Sequence, residues 1–466
     1  MSRVSSKDKT VFACTGCGAS SPRWVGRCAT CGEWNTMVEE RASARSPARS
    51  RSAASNVAGD HLARPTPIGE VPPDGAKRIG SGSEELDRVL GGGAVLGGVV
   101  LLGGDPGIGK STLLMQVLAG FAHRGVKALY VTGEESSAQV AMRATRLALP
   151  GMDRVLVQAT TDLEEVERAI DDLSPAAVVV DSIQTVRSGS LDSAAGSVGQ
   201  LREVAARLVE LAKRRGIALF LIGHVTKDGA LAGPKVLEHL VDTVLSFEGD
   251  AGQDYRVVRA SKNRFGPAHE MAVFEMVREG LREVPDPSAL FLAERPERAP
   301  GSVVLPSAEG TRPVLIELQA LVAPARMGPP RRVSTGIENS RLAILLAVLD
   351  RKADVHVLDQ DVFASVTGGA RVDERAADLA MAIAVVSSLR DRAIAPDLAV
   401  FGEVGLAGEL RAVPRAGSRL QEARKMGFTK VILPRGNLSQ TTPDERQGLE
   451  LVGAPTLTDA LIAAFE

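Results

Sequence analysis

The sequence predicts an α/β protein. Its main part is a mostly parallel sheet, preceded by a small cysteine-rich module and followed by a second α/β unit. Three observations lead to this fold class. Short apolar runs alternate with helical patterns from about residue 78 to 285, which is typical of a parallel sheet with helices on both faces. All four cysteines fall between Cys14 and Cys31. A second alternating region follows a group of prolines near residues 285–300.

These observations divide the chain into four expected segments. They are a cysteine module over residues 1–36, a flexible basic linker over 37–77, the main domain over 78–285 and the second domain over 286–466. The linker is rich in Arg, Ser, Ala and Pro, a composition that cannot build a core.

Composition also limits the class of function. The formal net charge is only -2, so any binding of nucleic acid would depend on local patches. No stretch of about 18 apolar residues occurs, and the N-terminal residues lack the apolar core of a signal peptide. We therefore expect a cytoplasmic protein without a membrane partner.

The cysteine module carries two Cys-x-x-Cys pairs, Cys14 with Cys17 and Cys28 with Cys31. Two such turns present four thiolates tetrahedrally, which predicts a structural Zn²⁺ site. So short a segment needs a metal to fold. Two disulfides, a redox pair or bound iron are the alternatives.

Apolar runs place the expected elements in chain order. In the main domain we expect strands near Val99, Ala128–Val131, Ala177–Val180, Ala218–Ile222, Thr243–Phe247 and Arg256–Ala260. In the second domain we expect strands near Val314–Leu318, Val355–Val357, Leu398–Val400 and Val431–Leu433, with helices over Arg341–Arg351 and Arg375–Leu389.

A complete phosphate-binding loop follows the first strand of the main domain. It matches G-x-x-x-x-G-K-[ST] with the residues Gly104, Asp105, Pro106, Gly107, Ile108, Gly109, Lys110, Ser111 and Thr112. Its backbone N–H groups and the following helix N-terminus are suited to hold the phosphates of ATP. Lys110 is expected to reach the β- and γ-phosphates, and the Ser111 hydroxyl to ligate Mg²⁺.

Acidic residues end two further predicted strands. Asp181 follows Val178–Val180, and this position is expected to hold Mg²⁺. Glu134 and Glu135 follow the strand at Leu129, where a carboxylate would polarise the attacking water. Glu134 is our first choice for this role and Glu135 the alternative. Both could instead be acidic residues that stabilise the start of a helix through its dipole. His224 ends another predicted strand. It would either sense the γ-phosphate or have a purely structural role.

Two Gly-containing loops have the composition of contacts to a polymer, although solvated surface loops would look the same. One is Arg187–Gly199, and the other is Thr226–Lys235, which contains Lys227. Aromatic residues make up only 3% of the chain, which argues against base stacking as the main contact.

The phosphate loop, the Glu134 strand end and the Asp181 strand together resemble the RecA-like ATPase core, as does Ser81–Gly93 before the loop. The cysteine module and the pentapeptide Lys262-Asn263-Arg264-Phe265-Gly266 narrow this resemblance to the bacterial RadA (Sms) family of DNA repair and recombination proteins. The similarity covers nearly the whole chain.

The resemblance implies a DNA-dependent ATPase and helicase that promotes branch migration or strand-exchange extension. Its implied partners are single-stranded and branched DNA, the RecA recombinase and further copies of itself in a ring, expected as a hexamer. By resemblance, Lys262 and Arg264 would reach the ATP of a neighbouring subunit, as an arginine finger does. From the residues alone they form a basic strand end, for which DNA backbone contact is the alternative.

The C-terminal unit resembles the Lon protease domain, but it lacks the catalytic pair. Proteolysis of this type needs a Ser nucleophile and a Lys base. The corresponding regions are Val372–Asp378 and Gly408–Arg411, and neither contains the required residue. A scaffold for ring assembly and DNA contact is therefore expected, and an ATP-dependent protease or a KaiC-like ATP switch is a less favoured alternative.

Overall fold

The computed structural model describes residues 10–14, 20–29, 32, 34–41, 67, 70, 77–224, 236–249, 254–308, 310–325, 328–369 and 371–466. The chain separates into two compact units. Unit 1 comprises Met1–Phe247, Val258–Ala268 and Met276–Glu283, and unit 2 comprises Glu248–Val257, His269–Glu275 and Val284–Glu466. Unit 2 thus includes two short segments that the sequence assigned to the main domain.

The N-terminal segment forms a small antiparallel sheet of β1 (Thr10–Cys14), β2 (Ser20–Ser21) and β3 (Met37–Arg41), in the order β2-β1-β3. Residues 37–41 were expected in the linker. They form a strand instead, because their backbone pairs with β1 along its length and Met37 is buried.

The main sheet follows in chain order. Its region contains the strands β4 (Arg78–Ile79), β5 (Ala94–Val95), β6 (Val99–Gly104), β7 (Ala128–Thr132), β8 (Leu156–Ala159), β9 (Ala177–Asp181), β10 (Ala218–His224), β11 (Thr243–Glu248), β12 (Tyr255–Asn263), β13 (Met271–Val277) and β14 (Gly280–Glu283). Its helices are α1 (Glu84–Val89), α2 (Lys110–His123), α3 (Ser137–Leu147), α4 (Leu163–Leu173), α5 (Val198–Arg215) and α6 (Val236–Leu240). A nine-stranded sheet has the order β14-β13-β12-β11-β6-β10-β9-β7-β8, parallel from β11 to β8. The predicted mostly parallel sheet is confirmed.

Helices cover both faces of this sheet, which explains its continuous apolar strands. Val99 and Leu101 of β6 pack in one cluster with side chains of α4 and α5. The alternate residues Val100 and Leu102 are also buried, and α2 contacts β7 and β9. Because β6, β7 and β9 run parallel in this sheet, their carboxyl ends lie at one edge of it.

Unit 2 is built around a second sheet. Its strands and short hairpin are β15 (Ser302–Ser307), β16 (Val314–Pro324), β17 (Arg332–Thr335), β18 (Gln360–Val366), β19 (Leu398–Val400), β20 (Glu403–Val404), β21 (Leu410–Arg411), β22 (Lys430–Pro434) and β23 (Glu450–Ala454). Its helices are α7 (Pro287–Leu292), α8 (Asn339–Lys352), α9 (Ala377–Leu389), α10 (Ala416–Lys425), α11 (Arg435–Gln440), α12 (Pro443–Arg446) and α13 (Leu457–Phe465). Seven strands pair in the order β17-β18-β16-β15-β19-β22-β23, and α9 packs on β15 and β16.

The strand predicted at Val355–Val357 is wrong. These residues form a connection between α8 and β18. Val355 and Val357 are buried, which produced the apolar signal, but the backbone N–H of Val355 donates to the Leu349 carbonyl and so caps α8. Among the helices that the structure describes, none combines the length and apolar character needed to cross a lipid bilayer.

Candidate active site

The phosphate-binding loop connects β6 to α2 and leaves the start of that helix uncapped. Gly109, the residue before α2, has φ 117°, and within the part of the chain that the structure describes no side chain caps the first-turn N–H groups. By contrast, α1, α3, α4 and α5 each begin with a Ser or Asp side chain that does so. Uncapped N–H groups and a helix dipole favour an anion. The loop therefore fits the phosphates of a nucleotide.

Lys110 lies at the centre of this edge. Its ammonium group is buried and donates to the carbonyls of Gly104 at 2.7 Å and Asp105 at 2.8 Å. Burial lowers the pKa of Lys110, while the nearby carboxylates of Asp181, Asp105 and Glu134 oppose that shift. The structure thus brings together the lysine and both carboxylates that the sequence selected.

Asp181 is the buried last residue of β9, and its carboxylate has a partner that the sequence did not indicate. The Tyr130 hydroxyl of β7 donates to Asp181 Oδ2, and the Ser111 side chain interacts with the same hydroxyl. Burial and the Asp181 charge raise the pKa of Tyr130 above its usual range, so this phenol remains a donor. Mg²⁺ prefers oxygen ligands, so the Ser111 hydroxyl and the Asp181 carboxylate fit this cation.

The two glutamates after β7 have different surroundings. Glu134 Oε1 accepts a hydrogen bond of 2.5 Å from the buried Ser182 hydroxyl, directly after Asp181. Glu135 forms an ion pair with Arg143 of α3. Glu134 therefore lies with the Asp181 strand end, whereas Glu135 is directed to a helix. His224 ends β10, but its side chain lies outside what the structure describes.

Lys262 and Arg264 lie away from this edge. Lys262 Nζ donates to the carbonyls of Glu238 at 2.6 Å and Val241 at 2.8 Å, where α6 ends. Arg264 is half-exposed and donates to the buried Asp242 at 3.1 Å. Asp242 in turn accepts from the backbone N–H of Val99 at 3.2 Å. The basic pair is therefore anchored at the amino end of β6, opposite the phosphate-binding loop.

The rest of the pentapeptide fastens this corner of the fold. Asn263 donates to the Val89 carbonyl at 3.2 Å, and the Phe265 carbonyl accepts from Arg78 at 2.8 Å. The Phe265 ring lies so close to Gly98 that a Cβ there would come within 2.9 Å of it. These residues hold the loop that carries Arg264. Sequence reasoning missed this packing and Asp242, because their partners are far apart in the chain.

The first candidate polymer loop is folded around one buried amide. Gln200 accepts from the Ser188 N–H at 2.8 Å and donates to the carbonyls of Ser188, Leu191 and Ser193. Arg187, at the start of this loop, is exposed. The second candidate loop, Thr226–Lys235 with both its lysines, lies outside the described residues.

In the cysteine module, Cys14 and Cys28 pack together in one small buried cluster with Met37. One cysteine of each predicted pair therefore approaches the other, and this arrangement fits a shared metal. Cys17 and Cys31 lie outside the described residues.

We expect one Zn²⁺ per chain, bound by Cys14, Cys17, Cys28 and Cys31. Thiolates must lose their protons to bind, so acidification should release the metal. Metal analysis of the full chain, purified without chelator, measures this, and Cys28→Ser should lose the zinc. A preparation without zinc, or a disulfide between any two of these cysteines, would contradict the expectation.

The Lon-like positions of unit 2 hold ion pairs. Glu374 pairs with Arg419, whose side chain is fully buried and also donates to the Pro306 carbonyl at 2.6 Å. Asp378 is buried and accepts from Arg341 Nε at 2.6 Å. Arg411 is exposed and pairs with Glu409. These groups connect β15, α8, α9 and α10.

Comparison with known proteins gives three family-model matches: an AAA domain over residues 65–230, a rubredoxin metal binding domain over 12–39 and subunit ChlI of Mg-chelatase over 367–437. The solved structure of a KaiC-like protein from Pyrococcus horikoshii aligns with 45% of this chain and 100% of its own, at 19% identity and a TM-score of 0.38.

Curated relatives match over nearly the full length. The DNA repair protein RadA of Pseudomonas aeruginosa is 52% identical over 460 residues, covering 99% of this chain and 100% of its own. The RadA proteins of Escherichia coli and Bacillus subtilis are 48% and 46% identical, covering 97% and 98% of this chain and 98% of each relative. The chain therefore belongs to the RadA family of DNA repair proteins, with a RecA-like ATPase domain between a zinc ribbon and a Lon-like domain.

Proposed function

We propose that this protein is a DNA-dependent ATPase and helicase that works as a homo-oligomeric ring, expected as a hexamer. It would act on single-stranded and branched DNA and promote branch migration or strand-exchange extension beside RecA. DNA as the substrate follows the names of the relatives, which are DNA repair proteins. RecA as the partner follows the family resemblance.

The proposed chemistry is ATP hydrolysis at the carboxyl edge of the main sheet. Lys110 would exchange its bonds to the Gly104 and Asp105 carbonyls for bonds to the β- and γ-phosphates. Ser111 and Asp181 would hold Mg²⁺, which supplies positive charge to the phosphates.

Glu134 would orient the attacking water and accept its proton. The contact with Ser182 supports Glu134 in this role, because it lies beside the Asp181 strand end. Glu135 is less suited, since its carboxylate pairs with Arg143.

One observation supports the proposed ring of subunits. Arg264 is anchored at the amino end of β6 through Asp242, which also accepts from Val99, and Lys262 is held by the carbonyls of Glu238 and Val241. The phosphate-binding loop starts at the other end of β6, at Gly104. Five residue steps along a strand span roughly 17 Å, farther than a side chain reaches. A role for Arg264 in hydrolysis therefore requires the nucleotide of another subunit, which a ring supplies.

The test pairs two measurements on the full chain. ATP turnover is measured with and without single-stranded DNA, and strand displacement is measured on a forked duplex. We expect DNA to stimulate turnover, and displacement to require hydrolysable ATP, with a non-hydrolysable analogue as the control. An ATP turnover rate that is the same with and without DNA would contradict the DNA-dependent activity. Stimulated turnover without displacement would favour a non-translocating ATP switch over a motor.

A further inference from the structure

Tyr130 places a hydroxyl among the buried apolar residues of β7. The strand β7 begins with Ala128-Leu129-Tyr130-Val131, and all four side chains have no exposed surface. A phenylalanine would fill almost the same volume without burying a hydroxyl. Burying a hydroxyl costs free energy unless it forms a hydrogen bond. The contact that compensates this cost is the one with Asp181.

The position of Tyr130 connects two parts of unit 1. Its hydroxyl donates to Asp181 Oδ2 and interacts with the Ser111 side chain. Its ring borders an apolar groove of about 450 Å³, whose other walls include Met115, Val140 and Ala144. The packed ring fixes where the hydroxyl points, and the hydroxyl donates to Asp181, one of the two groups proposed above to hold Mg²⁺.

The strand pairing explains why this contact forms. β7 and β9 are parallel neighbours, with Tyr130 opposite Val179 and Thr132 opposite Asp181. A long aromatic side chain on β7 can therefore reach the carboxylate two residues further along β9. A shorter polar side chain at position 130 would not span this diagonal.

We infer that Tyr130 is a positioning residue for the divalent cation: its hydroxyl fixes the orientation of the Asp181 carboxylate, which with Ser111 would hold the ion. This rests on the proposed function, since it assigns Ser111 and Asp181 to Mg²⁺. Partners that orient a metal ligand typically change metal affinity by about 10–100-fold when they are removed.

The test separates cation binding from nucleotide binding. Tyr130→Phe removes the hydroxyl and keeps the ring. Val140→Ala is the matched control, because Val140 lines the same groove and removing its methyl groups loosens the packing without deleting a hydroxyl. For each full-length protein, Mn²⁺ affinity is measured by electron paramagnetic resonance at saturating ADP. ADP affinity is measured separately in EDTA, and a thermal melt verifies folding.

We expect Tyr130→Phe to weaken Mn²⁺ binding about tenfold or more, with ADP affinity in EDTA within about twofold of wild type, because the phosphate contacts of Lys110 remain. Val140→Ala should leave Mn²⁺ affinity unchanged. Wild-type Mn²⁺ affinity in Tyr130→Phe would overturn the inference, as would an equal loss in Val140→Ala. If wild-type protein binds no Mn²⁺ even with ADP present, the proposed nucleotide site itself fails.

Discussion

Lys110→Ala is expected to abolish ATP hydrolysis, lowering turnover by about a thousandfold. The ammonium group lies buried between the loop carbonyls and near Asp181 and Glu134, where a γ-phosphate would develop negative charge in the transition state. An alanine supplies no positive charge at this position. Electrostatic stabilisation of the transition state is usually the largest single contribution to an enzyme's rate enhancement.

The fold should survive the substitution. Lys110 bonds to the backbone of its own loop, and the core cluster between the sheet, α4 and α5 does not contain it. Lys127→Ala is a matched control, because Lys127 is exposed and donates only to the Leu173 carbonyl among the bonds described. The measurement is the rate of phosphate release by purified wild type, Lys110→Ala and Lys127→Ala. Near-wild-type turnover in Lys110→Ala would remove the assignment of this loop.

The parallel sheet could be predicted because its strands are covered on both faces. The strands β6, β7 and β9 are continuous apolar runs, and the phosphate-binding loop has fixed spacing between two of the expected elements. Patterns of this kind lie within one short stretch of sequence.

The contacts that complete the site join residues far apart in the chain. Tyr130 meets Asp181 across 51 positions, and Arg264 meets Asp242 across 22. No local pattern contains these pairs, and an isolated Tyr in a strand looks like any core aromatic residue. The Val355–Val357 error has the related cause that burial alone does not distinguish a strand from an extended connection.

Arg264→Ala is expected to lower turnover by about a thousandfold while changing nucleotide affinity little, as removal of an arginine finger does. In a single chain the guanidinium is half-exposed and held by Asp242, at the end of β6 remote from its own phosphate-binding loop. Positive charge reaching a neighbour's γ-phosphate stabilises the transition state only in the assembled ring. Arg214→Ala is the matched control, since Arg214 is exposed on α5 and pairs only weakly with Glu210.

Mixing subunits separates action between subunits from action within one. Arg264→Ala chains keep Lys110, and Lys110→Ala chains keep Arg264. In an equal random mixture, roughly one interface in four joins an intact Lys110 to an intact Arg264 of the next subunit. Hydrolysis should therefore reappear in mixed rings, and it should not reappear when either variant is mixed with the Lys110→Ala, Arg264→Ala double variant. If mixed rings form but never exceed the two separate variants, Arg264 does not act across an interface. Its half-exposed charge would then be better explained by contact with the DNA backbone, and the salt dependence of DNA binding should fall in Arg264→Ala.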